Sequence, residues 1–378
     1  MKHLGRIILI IIAVIVFLVI LIWPMASLWE KLGAEPVCIQ GTWPDLKLTD
    51  CPGREAAVTQ VPLPEPGADG PIPLIVDDDG SPDGSIALLY FLRNPLFDVR
   101  AVTISYGEAH PENFAPHVAQ ILAAFGRGDI PVGYGRDTPL EGKNAFPESW
   151  RQASNEFWGL ALPQADSAAK PVPAAQLIAD IVRNSDRPVT IFVSGSHTNL
   201  AEALRLDPGI VANIGDVFIM GGSVNSPGNI HSDWPEYDNE TAEWNIWVDP
   251  RAASEVFSSG LPLHLIPLDA TRQVVWKQAD VPGWRSEAPE SKLADELLQW
   301  MLDNWSRDGV FIWDLVAAVQ ATNPSLCPEV PLSLAVVTTP VVEEGRTAVV
   351  NQLSNIAVCL EPDMAQIKSL AASVFHQP

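Results

Sequence analysis

The sequence is poor in basic residues. Its 378 residues include 23 Lys and Arg against 46 Asp and Glu, which gives a formal net charge of −23 at pH 7. Because such a chain has no excess of cations to neutralise phosphates, the composition excludes a general nucleic-acid binder. It excludes docking on anionic lipid by charge for the same reason.

Cysteine is also scarce, with four residues. No two of them have the C-x-x-C spacing typical of zinc sites, so the sequence does not predict a zinc site. An even number of cysteines beyond an export signal indicates two disulfide bonds, most simply Cys38–Cys51 and Cys327–Cys359. Three pairings exist and spacing does not choose among them; buried free thiols are the alternative.

A long apolar run is present at the N-terminus. Lys2 and Arg6 precede residues 7–23, which carry no charged or polar side chain. This length is about the minimum for a membrane-spanning helix and exceeds a typical signal-peptide core. We expect an uncleaved signal anchor over residues 1–29, with the rest of the chain extracytoplasmic, at the cell surface or on the periplasmic side. A cleaved signal peptide, which would release a secreted protein, is the alternative.

Residues 30–71 are rich in proline and glycine and predict an extracytoplasmic stalk. In residues 72–378, apolar strand-like runs alternate with helical patterns, which predicts an α/β domain with a mainly parallel, doubly wound sheet flanked by helices. The predicted strands are Leu74–Asp77, Ala101–Ser105, Ile130–Gly133, Val189–Ser194, Val217–Met220, Leu263–Ile266, Leu334–Val337 and Ile356–Leu360. The predicted helices are Ser85–Leu92, Glu112–Phe125, Ala174–Arg183, Leu200–Leu206, Arg251–Ser258, Ser291–Trp305, Leu315–Ala321 and Pro362–Val374.

The most distinctive stretch is an apolar run that ends in Asp77, Asp78 and Asp79, followed by a turn and Asp83. In a parallel sheet, ligands bind outside the carboxyl ends of the strands, where this loop would lie. Four carboxylates there would repel one another unless a cation lay among them, and Ca²⁺ and Mg²⁺ prefer such oxygen ligands. The alternative is an acidic turn that caps the next helix through Asp83 and leaves three carboxylates unexplained.

The aspartate stretch of residues 77–85 is followed, in one order, by the motifs Gly195–Ala201, Met220–Gly222 and Ala242–Ala253. Together these segments resemble the inosine-uridine-preferring nucleoside hydrolase family over about residues 73–375. Residues 77–85 lie on the family's Asp-x-Asp-x-Gly-x-Asp-Asp-Ala signature. Gly195–Ala201 matches its Gly-Pro-Leu-Thr-Asn-Leu-Ala, and Ala242–Ala253 matches its Ala-Glu-Phe-Asn-x-x-x-Asp-Pro-x-Ala-Ala. The other matching segments are Met220–Gly222, Gly228–Asn229, Trp313–Asp314 and Gly345–Val349.

The resemblance implies an enzyme that cleaves the N-glycosidic bond of ribonucleosides with water, giving ribose and free base. A bound Ca²⁺, with Mg²⁺ as the alternative, would hold the attacking water, and Asp77 would bind the metal and accept the proton. The implied metal ligands are Asp77, Asp79, Asp83, the carbonyl of Thr198, and Asp314. The implied substrate contacts are Asp83, Glu108, Trp158, Met220, Asn229, Glu243 and Asn245. Family members are usually dimers or tetramers, so a homodimer or homotetramer is implied too.

Three positions depart from the family pattern. Gly84 replaces the second Asp of the signature, normally a metal ligand, although other acidic oxygens are close in sequence. Glu108 replaces an Asn and adds negative charge near the sugar or metal. Trp313 replaces the leaving-group His; it cannot donate a proton but can stack on a purine, which predicts a preference for purine nucleosides. Trp158 falls where a second stacking residue would lie, and both tryptophans could instead pack in the core.

Two other functions fit part of the sequence. Val76–Ser81 also resembles the haloacid-dehalogenase-type phosphatase signature, with Asp77 as nucleophile, but this leaves the late motifs unexplained. Loss of the acid at Gly84 and of the histidine at Trp313 could instead mark a nucleoside- or sugar-binding protein without turnover.

Overall fold

The computed structural model describes residues 62–351 and 356–377, and the backbone of two short strands, β1 (Val37–Gln40) and β2 (Lys47–Asp50). The chain divides into two units, Met1–Ala57 and Val58–Pro378. In the first unit, β1 and β2 pair antiparallel. The predicted membrane helix, most of the predicted stalk, Cys51 and the side chain of Cys38 lie outside the described residues, so the membrane helix, the stalk and the Cys38–Cys51 bond stay predictions. In the described ranges, no helix is long and apolar enough to cross a membrane.

The second unit contains thirteen strands, twelve α-helices and five short 3-10 helices in the described ranges. The strands are β3 (Ile72–Asp78), β4 (Phe97–Ile104), β5 (Val132–Tyr134), β6 (Val172–Pro173), β7 (Val189–Ser194), β8 (Ile214–Met220), β9 (Leu263–Ile266), β10 (Val275–Trp276), β11 (Val310–Phe311), β12 (Glu329–Leu332), β13 (Leu334–Val336), β14 (Thr347–Val349) and β15 (Ile356–Cys359). The helices are α1 (Pro82–Arg93), α2 (Pro111–Ala124), α3 (Glu148–Asn155), α4 (Ala174–Asn184), α5 (Thr198–Leu206), α6 (Ile230–Asp233), α7 (Trp244–Trp247), α8 (Pro250–Phe257), α9 (Leu268–Thr271), α10 (Pro289–Asn304), α11 (Trp313–Thr322) and α12 (Met364–Phe375).

A nine-stranded sheet forms the centre of this unit, in the order β12-β15-β9-β8-β7-β3-β4-β5-β6. All neighbouring strands run parallel except β12 and β15, which pair antiparallel at one edge. The predicted mainly parallel α/β fold is therefore confirmed. The strands β8, β7, β3 and β4 are consecutive neighbours, so their carboxyl ends lie side by side.

The central strand β3 shows why helices cover both faces. Leu74 and Val76 pack into a hydrophobic cluster with α1, α2, α10, α11 and α12, whereas Ile75 packs into a second cluster with α4, α5 and α8. Because successive side chains of a strand point to opposite faces, a strand buried on both sides must be apolar without alternation. The run Leu74–Val76 meets this requirement, and all three side chains are fully buried.

Several helices begin earlier than predicted because a proline occupies their first turn. Proline is favoured there, since its missing N–H would have no partner within the helix. The helices α1, α2, α8 and α10 begin at Pro82, Pro111, Pro250 and Pro289. The predicted starts at Ser85, Glu112, Arg251 and Ser291 are one to three residues late.

Two predictions in the C-terminal part have different outcomes. The predicted strand Leu334–Val337 is present as β13, but it pairs with β14 in a separate two-stranded antiparallel sheet. The predicted disulfide Cys327–Cys359 is present, and it joins the residues before β12 to the end of β15. This bond therefore lies beside the antiparallel edge of the sheet.

Candidate active site

A cavity of about 600 Å³ opens at the carboxyl ends of the neighbouring strands. One part of its lining is the acidic cluster, which we define as Asp79, Asp83, Glu108 and Asp314. Another part is the aromatic row, which we define as Trp158, Trp300, Trp305 and Trp313. Most other lining residues lie between strand β8 and helix α7 or in α3. The volume is within the range of sites that bind small molecules.

Asp79 enters the cavity because β3 ends one residue before it. Its carboxylate oxygen Oδ2 accepts the backbone N–H of Glu108 at 3.0 Å, and its carbonyl accepts the N–H of Ala109 at 2.8 Å. A Cβ atom on Gly107 would lie 2.3 Å from the same Oδ2, so glycine at this position leaves room for the carboxylate. The strand-β4 loop thus fixes the position of Asp79.

Asp83 and Asp314 come together from the first turns of α1 and α11. Oδ2 of Asp83 accepts the backbone N–H of Asp314 at 3.3 Å. The hydroxyl of Ser81, the N-cap of α1, accepts the N–H of Gly84 at 2.9 Å and donates to Oδ2 of Asp314 at 3.2 Å. Two helix starts that are more than 200 residues apart are therefore joined at the acidic cluster.

The acidic cluster has strongly perturbed titration. Burial, and then repulsion from neighbouring carboxylates, raises the pKa of Asp79, Glu108 and Asp314 well above the ordinary value. Burial raises the pKa of Asp83 to about 6. No lysine, arginine or histidine belongs to the cavity lining in the described part of the chain. The cluster therefore has no protein cation to balance it.

The oxygen-rich lining fits a hard divalent cation in its donor chemistry, since carboxylates are the ligands that Ca²⁺ and Mg²⁺ prefer. In residues 62–351 and 356–377, however, no three acidic or imidazole side chains are already arranged around a single point as a metal cage. The side chains would have to close in on an ion. The fit to a divalent cation therefore lies in the oxygen donors that the lining offers.

Gly84, which stands in place of a family aspartate, leaves a space that another carboxylate fills. A Cβ atom on residue 84 would lie 1.7 Å from Oδ2 of Asp78. The same Oδ2 accepts the hydroxyl of Ser194 at 3.0 Å, and Oδ1 accepts the N–H of Gly80 at 2.8 Å. The carboxylate of Asp78 therefore occupies the position from which a side chain on residue 84 would start.

Asp77 and Thr198, both predicted to bind the metal, do not line the cavity. Oδ1 of Asp77 accepts the hydroxyl of Thr103 at 2.6 Å and the amide of Asn199 at 2.8 Å, inside the sheet. Thr198 is fully buried and donates its hydroxyl to Asp249 at 2.7 Å. At these strand ends, the cavity is instead lined by Asp79 and Ser194. For Asp77, the difference follows from the end of β3 at Asp78, one residue beyond the predicted end. The metal contact predicted for the carbonyl of Thr198 stays a prediction.

The predicted sugar-binding residues all line the cavity. Glu243 caps α7: its Oε1 accepts the N–H of Asn245 at 2.9 Å and its Oε2 accepts that of Gly222 at 2.8 Å. Burial raises the pKa of Glu243 to about 7. The side-chain amide of Asn245 donates to the carbonyl of Met220 at 3.2 Å, and Oδ1 of Asn229 accepts the N–H of Trp244 at 3.2 Å. Backbone contacts therefore hold these groups rigidly at the strand-β8 side.

The aromatic row is continuous through ring contacts. Ring centroids lie 6.0 Å apart for Trp158 and Trp300, 5.9 Å for Trp300 and Trp305, and 6.4 Å for Trp305 and Trp313. Trp158 has a φ of 53°, and Phe157 before it has a φ of 50°. Such left-handed backbone costs about 1–3 kcal/mol in a residue with a Cβ atom and is common at functional sites. The predicted stacking residues Trp158 and Trp313 therefore belong to a larger aromatic surface.

Sequence reasoning missed part of the lining. The missed residues are Ser81, Phe146, Ser149, Trp150, Ala153, Ser194, Asp233, Trp244, Trp300 and Trp305. The signal for the aromatic members was the number of tryptophans, 13 in the chain. Motif spacing could not indicate which of them face the cavity, because they come from α3, α7 and α10.

A cavity of this size at the carboxyl ends of a parallel sheet, lined by carboxylates and aromatic rings, is where an α/β protein binds a small-molecule ligand. Comparison with known proteins makes this specific: the family model for inosine-uridine preferring nucleoside hydrolases matches residues 74–369. The chain belongs to this family. It is an N-glycosyl hydrolase of ribonucleosides, as the sequence predicted.

Relatives in the family differ in the bases they act on. The pyrimidine-specific ribonucleoside hydrolases RihA of Klebsiella pneumoniae (strain 342) and Escherichia coli O1:K1 are 31% and 32% identical over 284 residues, which is 74% of this chain and 88% of theirs. Among solved structures, a plant nucleoside hydrolase has a TM-score of 0.70 at 24% identity and matches 82% of this chain and 100% of its own. A purine-preferring ribonucleoside hydrolase from Gardnerella vaginalis has a TM-score of 0.68 at 24% identity and matches 80% and 98%. These two structures support the fold.

Proposed function

We propose that the protein hydrolyses ribonucleosides with a preference for purines, and that Asp79 is the carboxylate that takes the proton from the attacking water. The observation that carries this is the placement of Asp79. It is the first residue beyond β3, it lines the cavity, and its orientation is fixed by the N–H of Glu108. A base in this reaction must reach the water, and the fully buried Asp77 does not line the cavity.

The residues that would hold a divalent cation are Asp79, Asp83, Asp314 and Ser194, all of which line the cavity. When bound, such a cation acidifies water and draws the ribose hydroxyls into position. Ca²⁺ suits this set better than Mg²⁺, because it accepts an irregular shell of six to eight oxygens. The charge of the ion would also relieve the repulsion that raises the pKa values of the cluster.

Asp78 supplies, in this proposal, the negative charge that Gly84 removes. Its carboxylate fills the space beside Gly84 and is repelled by Asp83, a member of the acidic cluster. One carboxylate therefore remains beside residue 84, and it belongs to Asp78 at the end of β3 and not to a residue of helix α1. Asp78 itself does not line the cavity, so its carboxylate would act on the cation from behind the lining residues.

The sugar would be held by Asn229, Glu243 and Asn245, which offer amide and carboxylate groups to vicinal hydroxyls. Carboxylates also favour the positive charge that develops on the sugar as the glycosidic bond breaks. The base would lie against the aromatic row. A purine has two fused rings and offers more stacking surface than a pyrimidine, which supports the purine preference.

The compartment and the assembly are part of the proposal. If residues 7–23 anchor the chain in a membrane, the hydrolase meets nucleosides outside the cytoplasm. The stalk of residues 30–71 would then separate the catalytic unit from the lipid. In a homodimer or homotetramer, the subunits would have to assemble while each is anchored in the membrane through its own stalk.

The test is release of ribose and free base from inosine, adenosine, guanosine, uridine and cytidine by the purified full-length protein with Ca²⁺. We expect hydrolysis with purines ahead of pyrimidines. Asp79→Asn should lower kcat by at least about 10³-fold, as loss of a catalytic base does. Asp77→Asn is the matched control; it can still accept both of its hydrogen bonds, so its loss should be smaller. Equal rates for wild type and Asp79→Asn would refute this role.

A further inference from the structure

The cavity combines two features that seldom occur together. It is lined by seven aromatic side chains, namely Phe146, Trp150, Trp158, Trp244, Trp300, Trp305 and Trp313. It is also lined by six carboxylates, namely Asp79, Asp83, Glu108, Asp233, Glu243 and Asp314, and by no basic side chain of the described residues. One divalent cation would neutralise only part of this charge.

Such a lining favours a positively charged ligand. The face of an indole ring carries negative electrostatic potential and attracts cations within about 6 Å, most strongly among the aromatic side chains. Cages of several aromatic rings are the usual protein device for binding quaternary ammonium groups. The six carboxylates act in the same direction, and they disfavour any substrate that carries a phosphate.

The aromatic row itself offers no proton donor to a departing base, so a proton for a neutral base has to come from water or from an acid elsewhere in the lining. When a neutral nucleoside is cleaved, the bond electrons go to the base nitrogen, and the anionic base must be protonated. Indole rings do not supply that proton, and Trp313 stands where the family has a histidine. The ring neighbours of the row, Phe114, Phe157 and Phe311, do not supply it either.

A nucleoside with a cationic base removes this requirement. The C1′–N bond breaks, its electron pair neutralises the positive nitrogen, and the base leaves as a neutral molecule. Water adds its oxygen to C1′ and loses one proton, which Asp79 accepts. The products are ribose, neutral base and one proton, so atoms and charge balance without a general acid.

We propose that the preferred substrates of this site are ribonucleosides whose base carries a fixed positive charge, such as N-ribosyl pyridinium compounds or N7-alkylated purine nucleosides. This inference rests on the proposed function and specifies its substrate class. The aromatic row binds the cationic ring, and the acidic cluster acts on the sugar.

The experiment compares kcat/KM for nicotinamide riboside, uridine and inosine with the full-length protein and Ca²⁺, each corrected for its uncatalysed rate. Uridine is the neutral single-ring control, and inosine 5′-phosphate is the anionic control. We expect the rate enhancement for nicotinamide riboside to exceed that for uridine at least about tenfold. We expect no measurable turnover of inosine 5′-phosphate.

Variants of the aromatic row show whether a faster reaction of the charged substrate comes from binding of its base by the tryptophans or from the substrate's own reactivity. Trp305→Leu keeps an apolar side chain but removes the ring, and Trp305→Phe restores a ring. We expect Trp305→Leu to raise KM for nicotinamide riboside at least about fivefold more than for uridine, and Trp305→Phe to recover part of the loss.

The other possible results distinguish failure of this inference from failure of the proposed function. If inosine or uridine is cleaved while nicotinamide riboside gains no advantage, the inference is wrong and the proposed function stands. The same holds if Trp305→Leu affects the charged and neutral substrates equally. If no nucleoside of either kind is cleaved by folded, Ca²⁺-loaded protein, the proposed function fails and this inference fails with it.

Discussion

The acidic cluster and the aromatic row line the same cavity but are built in different ways. The acidic cluster comes from strand ends and helix starts, and backbone N–H groups or hydroxyls hold Asp79, Asp83 and Asp314 in place. The aromatic row comes from a loop and two helices; ring contacts link its members, and Trp158, Trp300 and Trp313 also pack in or against the hydrophobic core. The acidic cluster is therefore a rigid part of the site that is suited to catalysis. The aromatic row is a wall whose residues can differ between enzymes that act on different bases.

The largest expected effect is in the acidic cluster. Asp314→Asn should lower kcat/KM for inosine by about 10³-fold, because it removes a charge that faces both the cation and the sugar. Asp295→Asn is the control, since Asp295 is also a partly buried acid with a raised pKa but does not line the cavity. Initial rates of ribose release measure kcat/KM for both variants. Equal losses of kcat/KM in the two variants would show that the acidic cluster has no special role in catalysis.

Substitutions at Gly84 and Asp78 test whether the carboxylate of Asp78 fills the space beside residue 84. Gly84→Asp should lower the free energy of unfolding by about 2–3 kcal/mol, because its Cβ atom would overlap the carboxylate of Asp78. The double variant Asp78→Gly/Gly84→Asp should recover most of that loss. Chemical denaturation measures the three proteins.

Gly67→Asp is the matched control for this exchange, because nothing lies within 4 Å of a Cβ atom at that position. It should leave the free energy of unfolding nearly unchanged. A single Gly84→Asp variant as stable as wild type would show that Asp78 does not fill the space.

A smaller effect is expected in the aromatic row. Trp313→Ala should lower kcat/KM about 10- to 100-fold for purine nucleosides and less for uridine, since stacking on one aromatic ring contributes about 1–3 kcal/mol per base. Trp313→Phe should keep much of the activity. A larger loss of kcat/KM for uridine than for inosine would contradict the stacking of purines on Trp313.

The smallest expected effect is a pH dependence of the stabilisation by Ca²⁺. Burial raises the pKa of Asp78 to about 7 and of Asp83 to about 6, so the folded state binds protons that the unfolded state releases near pH 4. Stability of the metal-free protein should therefore fall as pH rises from about 4 to 7. A cation that pairs with the carboxylates removes this cost.

Thermal unfolding with Ca²⁺ and with chelator at pH 5 and pH 8 measures this prediction. The gain from Ca²⁺ should be larger at pH 8, by about 1 kcal/mol or more, which corresponds to a shift of one pKa unit in one group. A larger gain at pH 5 would mean that these carboxylates do not meet the ion.

The fold and the acidic cluster were largely predictable from the sequence, because buried parallel strands are short apolar runs and their ends carried the polar motifs. The position of Asp77 outside the cavity lining has a simple physical origin. β3 extends through Asp78, so Asp77 still belongs to the strand and bonds to Thr103 and Asn199. Only Asp79 is free to turn into the cavity.

The aromatic row was not predictable in full. Trp300 lies in the last turns of α10, where the apolar pattern is the same for burial against the core and against a cavity. Trp305 follows the helix and is 43% exposed, so burial gives no signal for it. Their neighbourhood with Trp158 depends on how α10 packs relative to the loop after α3. That is a property of the tertiary structure and not of any local segment.

The most direct test of the account is the metal dependence of inosine hydrolysis. The full-length protein is dialysed against chelator, assayed for ribose release, and assayed again after addition of Ca²⁺ or Mg²⁺. The account predicts that activity disappears in chelator and returns with Ca²⁺ while the protein stays folded throughout. Full turnover in chelator, or no turnover with either ion, would contradict it.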